Sequence, residues 1–308
     1  MRKTISRLKS ATVTAGLALC LGIAVCAVSV AFADGAPAAA SAVPKVIAWH
    51  DSYDAALAAS KTSAKPVMVF MFAAWCEYCK QFDTETFADA KVRALSTQFE
   101  SFRFDGDKDT QLEEKVAGQN HFPTVMFLSD GREVLRQVGF VAAPVFLIKM
   151  QTALDNVKLA EQIPALEAKI AADPTDAASL AQLGHIYTQF EQSDKALPLL
   201  AKAAGLGKDG KLGLLRDVKL DQAIGELRRE ETGAADHLSA WVQGNTGSKR
   251  LAEAEFHLGF AQAAAGKFAD ATKTFAAVSA AAPASPYSTL ARFYAGLVHD
   301  RLPTNAGG

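Results

Sequence analysis

Two cysteines three positions apart, Cys76 and Cys79, lie in the run Trp75-Cys76-Glu77-Tyr78-Cys79-Lys80. A pair at this spacing allows reversible dithiol–disulfide exchange, half of a zinc site, or an inert disulfide. Zinc needs two further ligands, and the sequence has neither a second cysteine pair nor a histidine pair at ligand spacing. Exchange needs a thiolate that attacks and a second thiol that resolves the mixed disulfide. A cysteine at a helix N-terminus suits the first role, because unpaired N–H groups and the helix dipole stabilise negative charge and lower the thiol pKa. Attack therefore falls to Cys76 and resolution to Cys79. Glu77 and Tyr78 are the tuning positions. A carboxylate beside Cys76 disfavours its thiolate and makes the pair more reducing, unless it points into solvent and is screened.

Such a pair must be held at the junction of a buried strand and a helix. Pro66–Phe72 is a continuous apolar run of buried-strand length, and Cys76 to about Leu95 reads as the helix that follows. Around them the pattern predicts a leading helix from Asp51 to Ser60, a strand Phe99–Phe104 and a helix Thr110–Ala117. A strand Thr124–Leu128 follows, then a tight Asp130-Gly131 turn into a strand Glu133–Val138, and a helix from Ala142 to about Val157. This order builds an α/β domain, a mixed central sheet with helices on both faces. The methionines and phenylalanines of the first strand (Met68, Phe70, Met71, Phe72) read as sheet core, and Trp49 and Trp241 as packing residues.

The strand, the Trp-Cys-x-x-Cys-Lys run, Phe122-Pro123-Thr124 opening a later strand, and Gly139 beyond it together resemble the thioredoxin superfamily over about residues 45–153. The resemblance implies a cis bond before Pro123 and a loop lying against the disulfide. Trp75, Phe122 and Thr124 would then line the substrate strand. A closer likeness, through Cys79-Lys80-Gln81-Phe82-Asp83, Thr86-Phe87, Asp89 and Val92, is to the C-terminal periplasmic domain of the transmembrane thiol:disulfide interchange reductase. It implies that Asp83 lies near the active site and that the partners are protein thiols and disulfides. One position departs from the pattern. Most thioredoxins carry a buried Asp six residues before the first Cys, where this chain has Phe70. The proton of the resolving thiol then needs another acceptor, Asp83 or Glu77. His121, beside the Phe-Pro pair, reads as an incidental loop residue.

After residue 158 the strand signals vanish. Leu180, Leu183, Gly184, Tyr187, Ala196, Leu200 and Ala203 occupy positions of a template that Leu258, Gly259, Ala271, Phe275, Val278 and Pro283 also fit. The spacing is that of a tetratricopeptide repeat of about 34 residues, whose small residues let paired helices approach closely. The segment between the copies, about 211–250, reads as helical but degenerate, with Leu238 and Trp241 its clearest apolar positions. This half is predicted to be all-α, tetratricopeptide-like, and to present a concave surface to a protein or peptide; the alternative is a scaffold that only stabilises or dimerises the first half. His185, His237, His257 and His299 have no partners at ligand spacing and receive no role.

Composition narrows the class. Of the 308 residues, 50% are hydrophobic and 21% charged, as in soluble globular proteins. Alanine, about a fifth of the chain, favours closely packed helices. The net charge of −1 and the lack of a basic run after the first ten residues exclude nucleic acid as the expected partner. At the start, Arg2, Lys3, Arg7 and Lys9 precede an apolar stretch, Ala11–Phe32, that ends in Ala31-Phe32-Ala33. This is the order of a secretory signal, expected to be cleaved after Ala33; an uncleaved membrane anchor is the alternative. Cys20 and Cys26 fall within it, so only Cys76 and Cys79 remain, in a compartment where disulfides form and exchange.

The expected organisation is a signal peptide (1–33), an Ala/Pro linker (34–44), a thioredoxin-like domain (45–158), a helical-repeat domain (159–303) and a tail (304–308). The expected function is an exported, periplasmic thiol:disulfide oxidoreductase acting on protein disulfides, with reduction preferred, an electron donor that the sequence does not name, and no cofactor or metal. Two rivals stay open. One is a client-binding or chaperone-like module with a structural disulfide. The other is a dedicated thiol reductant in cytochrome c maturation.

Overall fold

A computed structural model describes residues 43–118, 121–206 and 212–299. The residues read as a signal peptide and as a tail, and nearly all of those read as a linker, lie outside the described residues.

The first half is a five-stranded sheet of order β1-β3-β2-β4-β5. Its strands are β1 (Trp49–His50), β2 (Val67–Phe72), β3 (Glu100–Asp105), β4 (Thr124–Ser129) and β5 (Arg132–Val138). The first three run parallel, and β4 and β5 are antiparallel to their neighbours. Central β2 is buried on both faces from Val67 to Met71, which is why it reads as unbroken apolar sequence rather than as alternation. Helix α1 (Tyr53–Ser63) is capped by Ser52, and α4 (Thr110–Val116) by Asp109. Strand β1 has no counterpart in the sequence reading. It is two residues long, too short for a pattern, and is held by its pairing with β3 and by a 2.7 Å contact between His50 Nε2 and Glu100.

The helix expected from Cys76 to about Leu95 is interrupted. Helix α2 covers Glu77–Gln81, a π-helical turn covers Phe82–Thr86, and α3 (Ala90–Ser96) starts afresh with the Asp89 carboxylate accepting from the N–H groups of Lys91 and Val92. The wide turn, closed by the Phe87 N–H donating to the Phe82 carbonyl at 2.8 Å, lets both rings enter the core. It also lets the Thr86 hydroxyl donate to the Val141 carbonyl at 2.7 Å. Apolar periodicity alone does not register such a shift of phase.

Helix α5 (Ala143–Ala160) covers one face of the sheet, and among the described residues eight further helices follow, α6 (Ile163–Ala172) to α13 (Pro286–His299). The segment between the two repeat copies is helical, as expected: α9 (Leu212–Arg228) and α10 (Ala234–Gly244). Among the described residues, no helix is long and apolar enough to cross a membrane.

The repeat template corresponds to two helical hairpins, α7 (Ala177–Gln189) with α8 (Ser193–Leu206), and α11 (Leu251–Ala264) with α12 (Phe268–Ala281). They share one contact. A Cβ on Gly184 would lie 2.7 Å from the Leu200 side chain, and one on Gly259 2.7 Å from the Phe275 ring. Alanine at either position gains up to about 1 kcal/mol of helix propensity, but overpacking costs about 1–3 kcal/mol. Phe275 is fully buried, tilted against Phe256 and stacked on Tyr294, so it cannot move aside. Gly259→Ala is therefore expected to lower the melting temperature by several degrees. Gly296→Ala, on α13 with nothing within 4 Å of the new methyl, should leave it unchanged or raise it. Thermal unfolding of both variants checks the sign.

The two halves share one core. Buried side chains run without a break from Cys76, Cys79 and Phe82 through Phe146 and Met150 to Leu180, Leu183 and Leu200. Polar ties reinforce the seam. Asn156 of α5, 2% exposed, donates to the carbonyls of Val134 at 2.8 Å and Gln189 at 3.2 Å. Gln192, in the α7–α8 turn, donates to the Glu133 carbonyl of β5 at 2.8 Å.

Candidate active site

Strand β2 ends at Phe72, and a tight turn follows in which the Cys76 N–H donates to the Ala73 carbonyl at 3.0 Å. Cys76 is the N-cap of α2, and its sulfur accepts from the Cys79 N–H at 3.1 Å. A sulfur in this place faces the positive end of the helix, as the sequence reading required for a stabilised thiolate. Cys76 and Cys79 are joined in a disulfide with Cα atoms 5.3 Å apart.

The cysteines are recessed, with relative exposures of 4% and 3%, whereas Trp75 and Tyr78 beside them stand out at 66% and 63%. Two exposed aromatic side chains thus flank a covered disulfide. Trp75 is fixed from two sides. Its Nε1–H donates to Asp107 at 3.1 Å, and its ring meets Phe122 edge-on at 5.9 Å. Phe122 and Pro123 are joined by a cis peptide. The Gly139 N–H donates to the Pro123 carbonyl at 2.8 Å from a backbone at φ 79°, a conformation glycine adopts without cost. The structure thus brings Trp75, Phe122 and Pro123 together. Thr124 is buried, and its hydroxyl donates to the His121 carbonyl at 2.6 Å, so this side chain shapes the loop from within.

Asp83 is engaged by Arg103 through two parallel bonds of 3.0 Å each. The guanidinium also lies over the rings of Phe72, Trp49 and Phe70, 4.7–5.4 Å from their centroids. Such bidentate, stacked pairing fixes the orientation of the carboxylate. Phe70 is fully buried against Phe82 and Phe87. Glu77 faces solvent, its side chain 84% exposed, and Lys80 lies 3.2 Å away, which offsets its charge.

Three neighbours of the site escaped the sequence reading: Arg103, Asp107 and Gly106. Arg103 sits opposite Phe70 in the β2–β3 register, and a cation between two phenylalanines of a predicted strand is the signal the sequence offers. Gly106 leaves the space that Met71 and Phe122 fill, since a Cβ there would lie 2.9 Å from both. Asp107 carries no signal before the loop is folded.

This geometry, a mixed sheet with a Cys-x-x-Cys helix N-terminus facing a cis-proline loop, defines a thioredoxin-superfamily domain. The thioredoxin-like family model matches residues 48–129. The chain is 30% identical over 94 residues to the thiol:disulfide interchange protein DsbD of Campylobacter jejuni (strain RM1221), and 31% identical over 110 residues to that of Ralstonia nicotianae. These matches take in 30% and 34% of this chain, and only 17% and 18% of the relatives' length. Among solved structures, a thioredoxin from Thermus thermophilus is 25% identical, with a TM-score of 0.34, over 36% of this chain and 90% of its own.

Proposed function

We propose that the chain is an exported thiol:disulfide oxidoreductase that acts on protein disulfides and works mainly as a reductase. The observation that carries this reading is the Cys76 sulfur at the α2 N-terminus, bonded to Cys79 beneath the exposed Trp75 and Tyr78 and beside the Phe122–Pro123 loop. In the reduced protein the Cys76 thiolate attacks one sulfur of a partner disulfide and releases the partner's other sulfur as a thiol. Cys79 loses its proton and attacks Cys76. The partner leaves reduced, and the Cys76–Cys79 disulfide remains until a dithiol donor reduces it. With Phe70 in place of a buried acid, Asp83, one helical turn beyond Cys79 and held in place by Arg103, is the acceptor for the resolving thiol's proton. Glu77, turned to solvent beside Lys80, has little part in tuning. Trp75, Phe122 and Pro123 dock the partner strand.

The signal-like N-terminus and the two-cysteine composition support an exported, periplasmic location. The matching glycine contacts of the two hairpins support a tetratricopeptide-like domain from residue 159 that holds a protein or peptide. Maturation of cytochrome c is one process that consumes such a reductant. The low exposure of the disulfide favours a second reading, a client-binding module with an inert bond.

The deciding experiment traps thiols in the native cell envelope by acid quenching and a mass-adding alkylator. Mostly free Cys76 and Cys79 are expected, since an oxidising compartment keeps them reduced only through a dedicated electron supply. A fully joined pair overturns the reductase direction.

A further inference from the structure

Five elements meet at the seam between the halves around a cavity of about 390 Å³, within the size range of small-molecule pockets. Lys149 comes from α5, Glu191 from the α7–α8 turn, Arg228 from the end of α9, His257 from α11, and Tyr287 and Tyr294 from α13. The polar side chains have more donors than acceptors. Glu191 accepts from Lys149 Nζ at 2.8 Å and lies 3.9 Å from the Arg228 guanidinium, so one carboxylate faces two cations. Arg228 spends one nitrogen on the Thr188 carbonyl. Tyr287 is tied to Glu253 by a side-chain hydrogen bond, whereas among the described residues the Tyr294 hydroxyl and the ring nitrogens of His257, which also line the cavity, have no hydrogen-bond partner. Burial, reinforced by Arg228, holds His257 neutral at physiological pH. The walls between these groups are apolar: Phe256 packs on Tyr287 and Tyr294, and Phe260, 40% exposed, meets Tyr294 edge-on at the mouth.

Glu191 supplies a second, independent observation. Its φ of 62° is left-handed, where a residue with a Cβ costs roughly 1 kcal/mol or more. The matching position of the other hairpin is Gly266, at φ 74°. One hairpin thus uses the residue the turn asks for. The other keeps a carboxylate against that cost, at the place where it holds Lys149 and faces Arg228.

We propose that this cavity binds an apolar carboxylate: a carboxylate that accepts from Arg228, Lys149 and the Tyr294 hydroxyl, joined to a hydrocarbon or aromatic group lying among Phe256, Phe260 and Leu290. The ligand supplies a second acceptor for Lys149 and Arg228, which share the Glu191 carboxylate, and a partner for the unused Tyr294 hydroxyl. A peptide chain end with a large last residue and a small free acid share this chemistry. The inference rests on reading the helical half as a binding surface and is independent of the redox reading.

The test is calorimetric titration of the full-length protein, disulfide intact, with N-acetyl-Leu-Phe as the free acid, the same peptide as its C-terminal amide, and 3-phenylpropionate. The free acid is expected to bind, with the amide about tenfold or more weaker. Binding by the peptide acid alone assigns the site to chain ends, and equal binding by phenylpropionate assigns it to small acids; both support the proposal. Arg228→Gln should cost about tenfold in affinity, and Tyr294→Phe, which keeps the ring and its packing, a few-fold. Failure of every acid to bind, equal binding of acid and amide, or undiminished binding by both variants overturns it. Reduction of insulin by the same sample reports the redox reading separately.

Discussion

Cys76→Ser is expected to abolish disulfide exchange, lowering the rate of insulin reduction with a dithiol donor by at least about a thousandfold. The reason is chemical rather than structural. A serine hydroxyl in the same N-cap position keeps an acceptor for the Cys79 N–H, so the helix start survives, but it supplies neither a thiolate nor a sulfur for the mixed disulfide. Cys79→Ser should behave differently. Cys76 then attacks but nothing resolves it, and a covalent Cys76–partner species accumulates, visible as a mass shift on non-reducing gels and lost on reduction. If Cys76→Ser keeps more than a tenth of the activity, the exchange reading fails and the inert-disulfide module gains. Client binding by the helical half that persists in the Cys76→Ser protein would leave both roles on one chain.

Acid is expected to weaken the fold by about 2–4 kcal/mol between pH 7 and pH 4. Two groups of the helical half drive this. Burial and the nearby Arg228 push His257 down to about 3, against the partial support of Glu253 and Glu191. Glu253 is raised by burial, but Arg250, bonded to it at 2.8 Å, more than reverses this and holds it at about 2. In both cases the folded-state pKa lies below the unfolded one, so the unfolded chain binds more protons as the pH falls. The His257 contribution is complete above about pH 6.5 and is lost progressively down to about pH 3. That of Glu253 is lost between about 4.5 and 2. Urea unfolding at pH 7 and pH 4 measures the difference. His257→Gln, neutral at both, should remove most of it, and a slope unchanged in that variant would place the cause elsewhere.

Much of the first half is legible from sequence because its signals are local. Val67–Met71 is apolar throughout since it is covered on both faces, and the Cys-x-x-Cys run and Phe122-Pro123 are contiguous motifs. What escapes depends on register or on distant segments. The Asp83–Arg103 clamp joins a helix to a strand, and only the alignment of β2 with β3 sets Arg103 beside Phe70. The break after Gln81 hides because Phe82 and Phe87 remain apolar in either helical phase. In the helical half, Gly184 and Gly259 announce where helices touch, but nothing in the order of residues says that Lys149 will meet Glu191 across the seam. His257, given no role from its spacing, turns out to line a cavity formed by five elements.

Helix α5 belongs to both halves at once, with one side on the sheet behind the active-site helix and the other beneath the repeats. If the helical half binds partners as proposed, this shared helix makes the protein a ruler rather than two beads on a string. A segment held by the helical half would then meet the disulfide at one distance and one bearing. Partners would be sorted by how many residues separate their anchoring segment from their cysteine, a specificity of spacing that needs no contact with the cysteine's own neighbours.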